Sequence, residues 1–144
     1  MIAARSSLLA IAGALFIAPG LNAASDIPGP VAADVERVID GDTVRVSAKI
    51  WVDQRVSVSV RVKGIDAPEL FKPRCAAERA LAQQAKAFVE ALVDDGVLLR
   101  DIEHDKYGGR VAARLETHGG ADIGAALLAE NLATEIGAAD PWCG

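Results

Sequence analysis

The chain has 144 residues, two cysteines and a formal net charge of −5. That length suffices for one domain with a real core. An acidic balance excludes a general polyanion binder, which needs a basic footprint, so any contact with nucleic acid must be local or bridged by a metal ion. Two cysteines as far apart as Cys75 and Cys143 exclude a zinc site.

In chain order, the first segment carries one cation, Arg5, then the apolar run Leu8 to Ile17, then small residues around Leu21-Asn22-Ala23. This is the layout of a secretory signal, and the run is short for a bilayer span; an N-terminal anchor is the alternative. Cleavage after Ala23 or Ala24 is expected, by the general export route since no twin arginine is present, leaving a chain from Ser25 one unit more negative and with no membrane segment. The expected division is a leader over 1–24, a Pro- and Gly-bearing linker over 25–34 and one domain over 35–144. An even cysteine count in an exported chain suggests a Cys75–Cys143 disulfide tying the chain's end to its middle; two unpaired thiols are the alternative.

Val35–Ile39 reads as a strand, Asp40-Gly41 as a tight turn, and Thr43–Ala48 as an alternating strand. The clearest strand starts at Arg55. Val56, Val58, Val60 and Val62 share one face, and Arg55, Ser57, Ser59 and Arg61 share the other. Pro68 and Pro73 stop the strand pattern. From Cys75 to Gly96, Ala77, Leu81, Ala85, Phe88 and Leu92 recur at helical spacing. Val97–Glu103 and Gly109–Glu116 read as strands, the latter with Val111, Ala113 and Leu115 on one side. Thr117–Ala121 is a turn, Ala121–Ala133 a shorter helix, and Gly137–Gly144 an irregular tail. Three strands, a helix, two strands and a helix predict an α+β, mainly β domain, a small barrel rather than a sandwich.

Two stretches carry candidate chemistry. In VIDGDTV, Asp40 and Asp42 bracket Gly41, and close carboxylates are costly unless a cation neutralises them. Alone, this piece reads as a hairpin turn with a solvated neighbour. In RVKGIDAPE, Asp66 and Glu69 follow a strand end with Arg61 upstream and Pro68 stiffening the backbone between them. Alone, this piece reads equally as a metal, base and phosphate set or as a charged loop approaching a helix. His104 and His118 sit in turn-like stretches and read as solvated loop residues; no Ser/His/Asp or Cys/His nucleophile set stands out.

VIDGDTVRV, RVKGIDAPE and DKYG in this order resemble the staphylococcal nuclease (thermonuclease) family, from about Val35 to Ala133. The resemblance implies an OB-type five-stranded Greek-key barrel with added helices. It also implies calcium-dependent hydrolysis of DNA and RNA phosphodiesters with 3′-phosphate products. By position it implies Asp42 and Asp66 as Ca2+ carboxylates, the Ala67 carbonyl as a third ligand, and Asp40 and Thr43 in support. Glu69 matches the general base, Arg61 the first phosphate-clamping arginine, and Lys106 and Tyr107 residues that contact a nucleotide phosphate.

The chain departs from the family pattern in three ways. Gly109 stands where an arginine commonly follows the glycine, and Arg110 comes one residue later. Either Gly109 bulges and re-aims Arg110 to the site, or the register is unshifted and Arg110 points away. The C-terminus ends soon after the second helix, with the Cys75–Cys143 bridge and Trp142 expected to replace a third helix as anchor. Thirdly, the charge is acidic. The expectation is a monomeric, exported, calcium-dependent endonuclease with no stable protein partner. The rivals are a non-catalytic binding module on the same barrel and a structural envelope protein.

Overall fold

A computed structural model describes residues 26–139 and 141–144; the predicted leader, 1–24, lies outside the described residues. The elements are β1 (Val31–Asp40), β2 (Thr43–Trp51), β3 (Gln54–Val62), β4 (Ile65–Asp66), α1 (Ala76–Leu92), β5 (Val97–His104), β6 (Arg110–Glu116), α2 (Ile123–Ala129) and β7 (Thr134–Glu135). Strands β1-β2-β3-β6-β5 close into a barrel, as the pattern predicts, with β3 and β6 parallel and the other neighbours antiparallel. Closure removes the sheet edges that a five-stranded open sheet would expose.

The alternating valines become the barrel interior. Val44, Val46, Val60 and Val62 are buried with Leu99, Ala113 and Leu115. The alternation of β3 continues beyond the core, however. Val56 remains exposed where the β2–β3 hairpin projects past the interior, with Ile50, Trp51 and Val52 at its tip.

Three expectations need correction. Residues 31–34, read as linker, are the first half of β1: Val31–Ala33 pair with Leu99–Val97 of β5, so the barrel cannot close without them. The buried stripe of α1 is Glu78, Ala82, Ala85 and Val89, so that of Ala77, Leu81, Ala85, Phe88 and Leu92 only Ala85 belongs to it. Leu81, Phe88 and Leu92 flank the stripe half-buried, because the alanines between them let the helix approach the barrel closely. The second helix, expected over Ala121–Ala133, is Ile123–Ala129, and Thr134–Glu135, given no element in the sequence, pairs with Ile65–Asp66.

The expected Cys75–Cys143 disulfide is present, with the Cα atoms 6.0 Å apart, and Trp142 beside it is buried. It anchors the tail to the start of α1. Seating of α1 also explains Gly41, whose backbone does not need left-handed freedom. A Cβ there would lie 2.8 Å from the Ala85 methyl and 2.9 Å from the Ala67 methyl. The β1–β2 turn, the loop after β4 and α1 thus meet at a point with room for no side chain.

Gly41→Ala is therefore expected to lower stability by about 1–3 kcal/mol, the cost of overpacking a close contact, as measured by urea unfolding. Reducing the bridge, which spans a sequence separation of 68, should cost up to about 4 kcal/mol in the chain-entropy model, measured by unfolding with and without reductant.

Candidate active site

The site lies where the β1–β2 turn, the end of β3, the loop after β4 and the start of β6 converge. Asp40, Asp42, Thr43, Arg61, Asp66, Ala67, Glu69 and Arg110 line one pocket of about 310 Å³, together with Glu78, Thr134 and Trp142. All eight of the first group were singled out in the sequence, from three separated stretches.

Asp42 is the hub. Its carboxylate is buried and accepts from the Thr43 hydroxyl at 2.9 Å and the Ala67 N–H at 2.9 Å. Arg61 Nη1 lies 3.2 Å from the same group. The Asp42 carbonyl accepts from Val62 N–H at 2.8 Å, which fixes the turn to β3. Asp42 therefore ties the turn to the loop that carries Glu69. Arg61 also pairs through Nη2 with Asp66 and reaches the Ile65 carbonyl. One guanidinium fork thus spans both candidate metal carboxylates, a geometry suited to planar oxyanions. Asp66 itself is held by the backbone pairing of β4 with β7.

Asp40 accepts from Asp42 N–H at 3.2 Å. Burial, and then the charge of Asp42, push its carboxyl up to about 7. The pocket thus holds more carboxylate than its arginines comfortably offset, and hard oxygen donors of this kind fit a divalent cation such as Ca2+. Among the described residues no three His, Cys, Asp or Glu side chains form a complete metal cage. An ion held by Asp42 and Asp66 would draw its other ligands from backbone oxygen, such as the Ala67 carbonyl, and from water.

Arg110 reaches the pocket by a route that differs from both sequence alternatives. The β3–β6 ladder pairs Ser59 with Arg110 and Arg61 with Ala112 without a slip, which puts Arg110 on the same side of the sheet as Arg61. Gly109 is not a bulge in β6. It takes φ +82° in the turn just before the strand, with open space around it, so its role is the left-handed turn itself. The bulge of this hairpin is in β5, between Arg100 and Glu103, where Asp101 has φ +50°.

The turn then folds around Arg110. Its Nε pairs with the buried Asp105 carboxylate, and its guanidinium lies 4.9 Å from the Tyr107 ring centroid. Burial raises the Asp105 carboxyl, but the hydrogen bond and charge of Arg110 more than offset this and hold it below the usual range. Lys106 Nζ sits 5.1 Å from the same ring. Lys106 and Tyr107 are exposed and line a second cavity that shares Arg61 and Asp66 with the first. His118, in the turn after β6, and His104, read as a loop residue but in fact the last residue of β5, paired with Val111, are both exposed.

Glu69 is exposed, and its Oε1 accepts from Phe71 N–H at 3.0 Å. Sequence reading missed the residue behind it. Glu78 is almost fully buried and accepts from Glu69 N–H at 3.1 Å and Arg74 N–H at 2.7 Å. The signal was available: Cys75 caps α1, its sulfur accepting from Glu78 N–H at 3.4 Å, and Glu78 stands three residues on, as in a capping box. The Arg74 N–H bond, with that from Glu69 N–H and the Arg74 charge, outweighs burial and holds the Glu78 carboxyl below its ordinary 4.5.

A model of the family described as "Staphylococcal nuclease homologue" matches residues 59–142. No curated protein matches the chain.

A depressed carboxyl adds stability that is fully present above its unfolded value and lost as pH falls through its folded one. The melting-temperature advantage of wild type over Glu78→Gln should therefore be constant above about pH 5.5 and shrink as pH is lowered through 4.5 and beyond, measured by thermal scans across pH.

Proposed function

Because the chain belongs to the staphylococcal nuclease homologue family, a family of nucleases, we propose that it is an exported, calcium-dependent phosphodiesterase acting on DNA and RNA and leaving 3′-phosphates. The observation that carries this reading is the convergence of Asp42, Asp66, Arg61, Glu69 and Arg110 on one pocket. A binder on the same barrel has no need of a carboxylate pair, an exposed carboxylate and two arginines around a single cavity.

Each residue has a part in the proposed reaction. Asp42 and Asp66 hold the cation, with the Ala67 carbonyl beside them. When bound, the cation supplies Lewis-acid neutralisation of the phosphate as charge builds on it. Glu69 accepts a proton from the attacking water, which an exposed carboxylate at the pocket mouth can reach from solvent. Arg61 offers a fork to the equatorial oxygens, and Arg110 offers a second from the neighbouring strand β6. Thr43 fixes the orientation of the Asp42 carboxylate through its hydroxyl. Lys106 and Tyr107, exposed along the adjoining cavity, take a neighbouring phosphate of the chain. The leader over 1–24 exports the protein, to the periplasm or the medium, and it works there as a monomer.

Cleavage of single-stranded DNA, followed with calcium and with chelator, tests the reading. Glu69→Gln should lower kcat by about 10² to 10⁴ with an unchanged melting temperature. Unchanged activity in that variant removes Glu69 as base. DNA that binds but is never cut by wild type in calcium moves the assignment to the binding module. Arg110→Ala should lower kcat/KM by about a hundredfold. Arg114→Ala, whose guanidinium faces Asp101 and Glu116 outside the pocket, should leave it unaltered.

A further inference from the structure

Glu78 stands apart from the residues discussed so far. It is the one acidic side chain on the buried stripe of α1, a place normally given to apolar groups. A buried carboxylate is costly unless its oxygens are satisfied, and here both are. Oε1 accepts from Glu69 N–H at 3.1 Å, and Oε2 accepts from Arg74 N–H at 2.7 Å with Arg74 Nε 3.5 Å away. The two N–H groups bracket the segment from Glu69 to Arg74, which has no helix or strand to satisfy its backbone. A usual capping-box glutamate reaches back to the cap residue itself; this one reaches past Cys75 to both ends of the preceding loop.

We propose that Glu78 is a positioning residue for the reaction: its carboxylate fixes the backbone of Glu69, and so aims the Glu69 side chain into the pocket. This rests on the proposed role of Glu69. Three neighbours hold Glu78 in turn. Cys75 caps its helix, the Cys75–Cys143 bridge brings Cys143 Sγ to 3.8 Å from Oε2, and Trp142 packs into the same pocket wall. The disulfide therefore does more than anchor the tail. It lies against the carboxylate that holds the loop.

Gln at this position keeps the shape but not the function. Its Oε1 can accept from one N–H, while its NH2 group turns a donor toward the other. The test reads two quantities. Amide hydrogen exchange of Glu69 and Arg74 should show both N–H groups protected in the wild-type protein, although the segment between them is irregular. Arg74, with both its N–H and its guanidinium, keeps the amide oxygen on its side, so Glu78→Gln should speed exchange of the Glu69 N–H by about tenfold or more, the equivalent of one charge-assisted hydrogen bond. On single-stranded DNA with calcium, well below the melting temperature, the same variant should lose kcat about tenfold or more with KM little changed. A purely structural role would lower the melting temperature and leave kcat and Glu69 exchange at wild-type values, and that result overturns the proposal. Fast exchange of Glu69 N–H in the wild type overturns it even if every variant fails to fold. Absence of cleavage in wild type, with Glu69 N–H protected through Glu78, would instead count against the nuclease reading and leave the loop-holding role standing.

Discussion

The bond from Ala67 N–H to the buried carboxylate of Asp42 is the interaction on which the site depends. It joins residues 25 apart in sequence, from a turn and a loop that belong to different strand connections. A buried carboxylate must be satisfied to be tolerated, and Asp42 meets this condition with two hydrogen bonds, from Thr43 and Ala67, and an ion pair with Arg61. Remove any one partner and the others have reason to rearrange. The same condition brings the DGD turn and the DAPE loop into register, so the candidate ligands and the candidate base face one cavity.

Close backbone approach makes that bond possible. Gly41 leaves no Cβ between the turn and the methyls of Ala67 and Ala85, so α1 can press on both. Two turns earlier on the same buried stripe, α1 contributes Glu78, which holds the other end of the loop by Glu69 N–H. The loop is thus gripped at Ala67 from the barrel and at Glu69 from the helix, with Pro68 buried between the two grips. Two hydrogen bonds and a stiff residue fix the backbone that carries the Glu69 carboxylate, and Phe71 N–H holds the carboxylate itself.

The proposed substrate is a polyanion, so an acidic protein has to localise its positive charge, and the arginines are arranged in that way. Arg61 lies across Asp42 and Asp66, and Arg110 lies against Asp105 with Tyr107 over it. Each guanidinium is pre-aimed by an anion rather than spread over a basic surface. This arrangement favours recognition of one phosphate in the pocket over broad electrostatic attraction, and marked salt dependence is expected only from the few groups near the cavity. Much of this was legible in the sequence. The valines of β3 announced a barrel face, and the two acidic motifs with Arg61 between them announced the pocket. The position of Arg110 was not legible, because it depends on where the hairpin places its bulge. Here β5 carries it at Asp101, and no local signal in the β6 sequence reports that. The α1 stripe was misjudged by one residue because large side chains dominate a periodicity reading, while the closest contacts are made by Ala82 and Ala85. Glu78 was passed over for the same reason, since a glutamate on a helix ordinarily means a solvated face.

The central claim is that Asp42 both organises this pocket and holds a cation within it, and calorimetric titration of Ca2+ into the purified protein without nucleic acid tests it most directly. The account predicts saturable binding by the wild type and at least about a tenfold loss of affinity in Asp42→Asn with the barrel still folded, the scale of removing one charged ligand. Equal affinity in the two proteins, or no binding by the wild type, would contradict it.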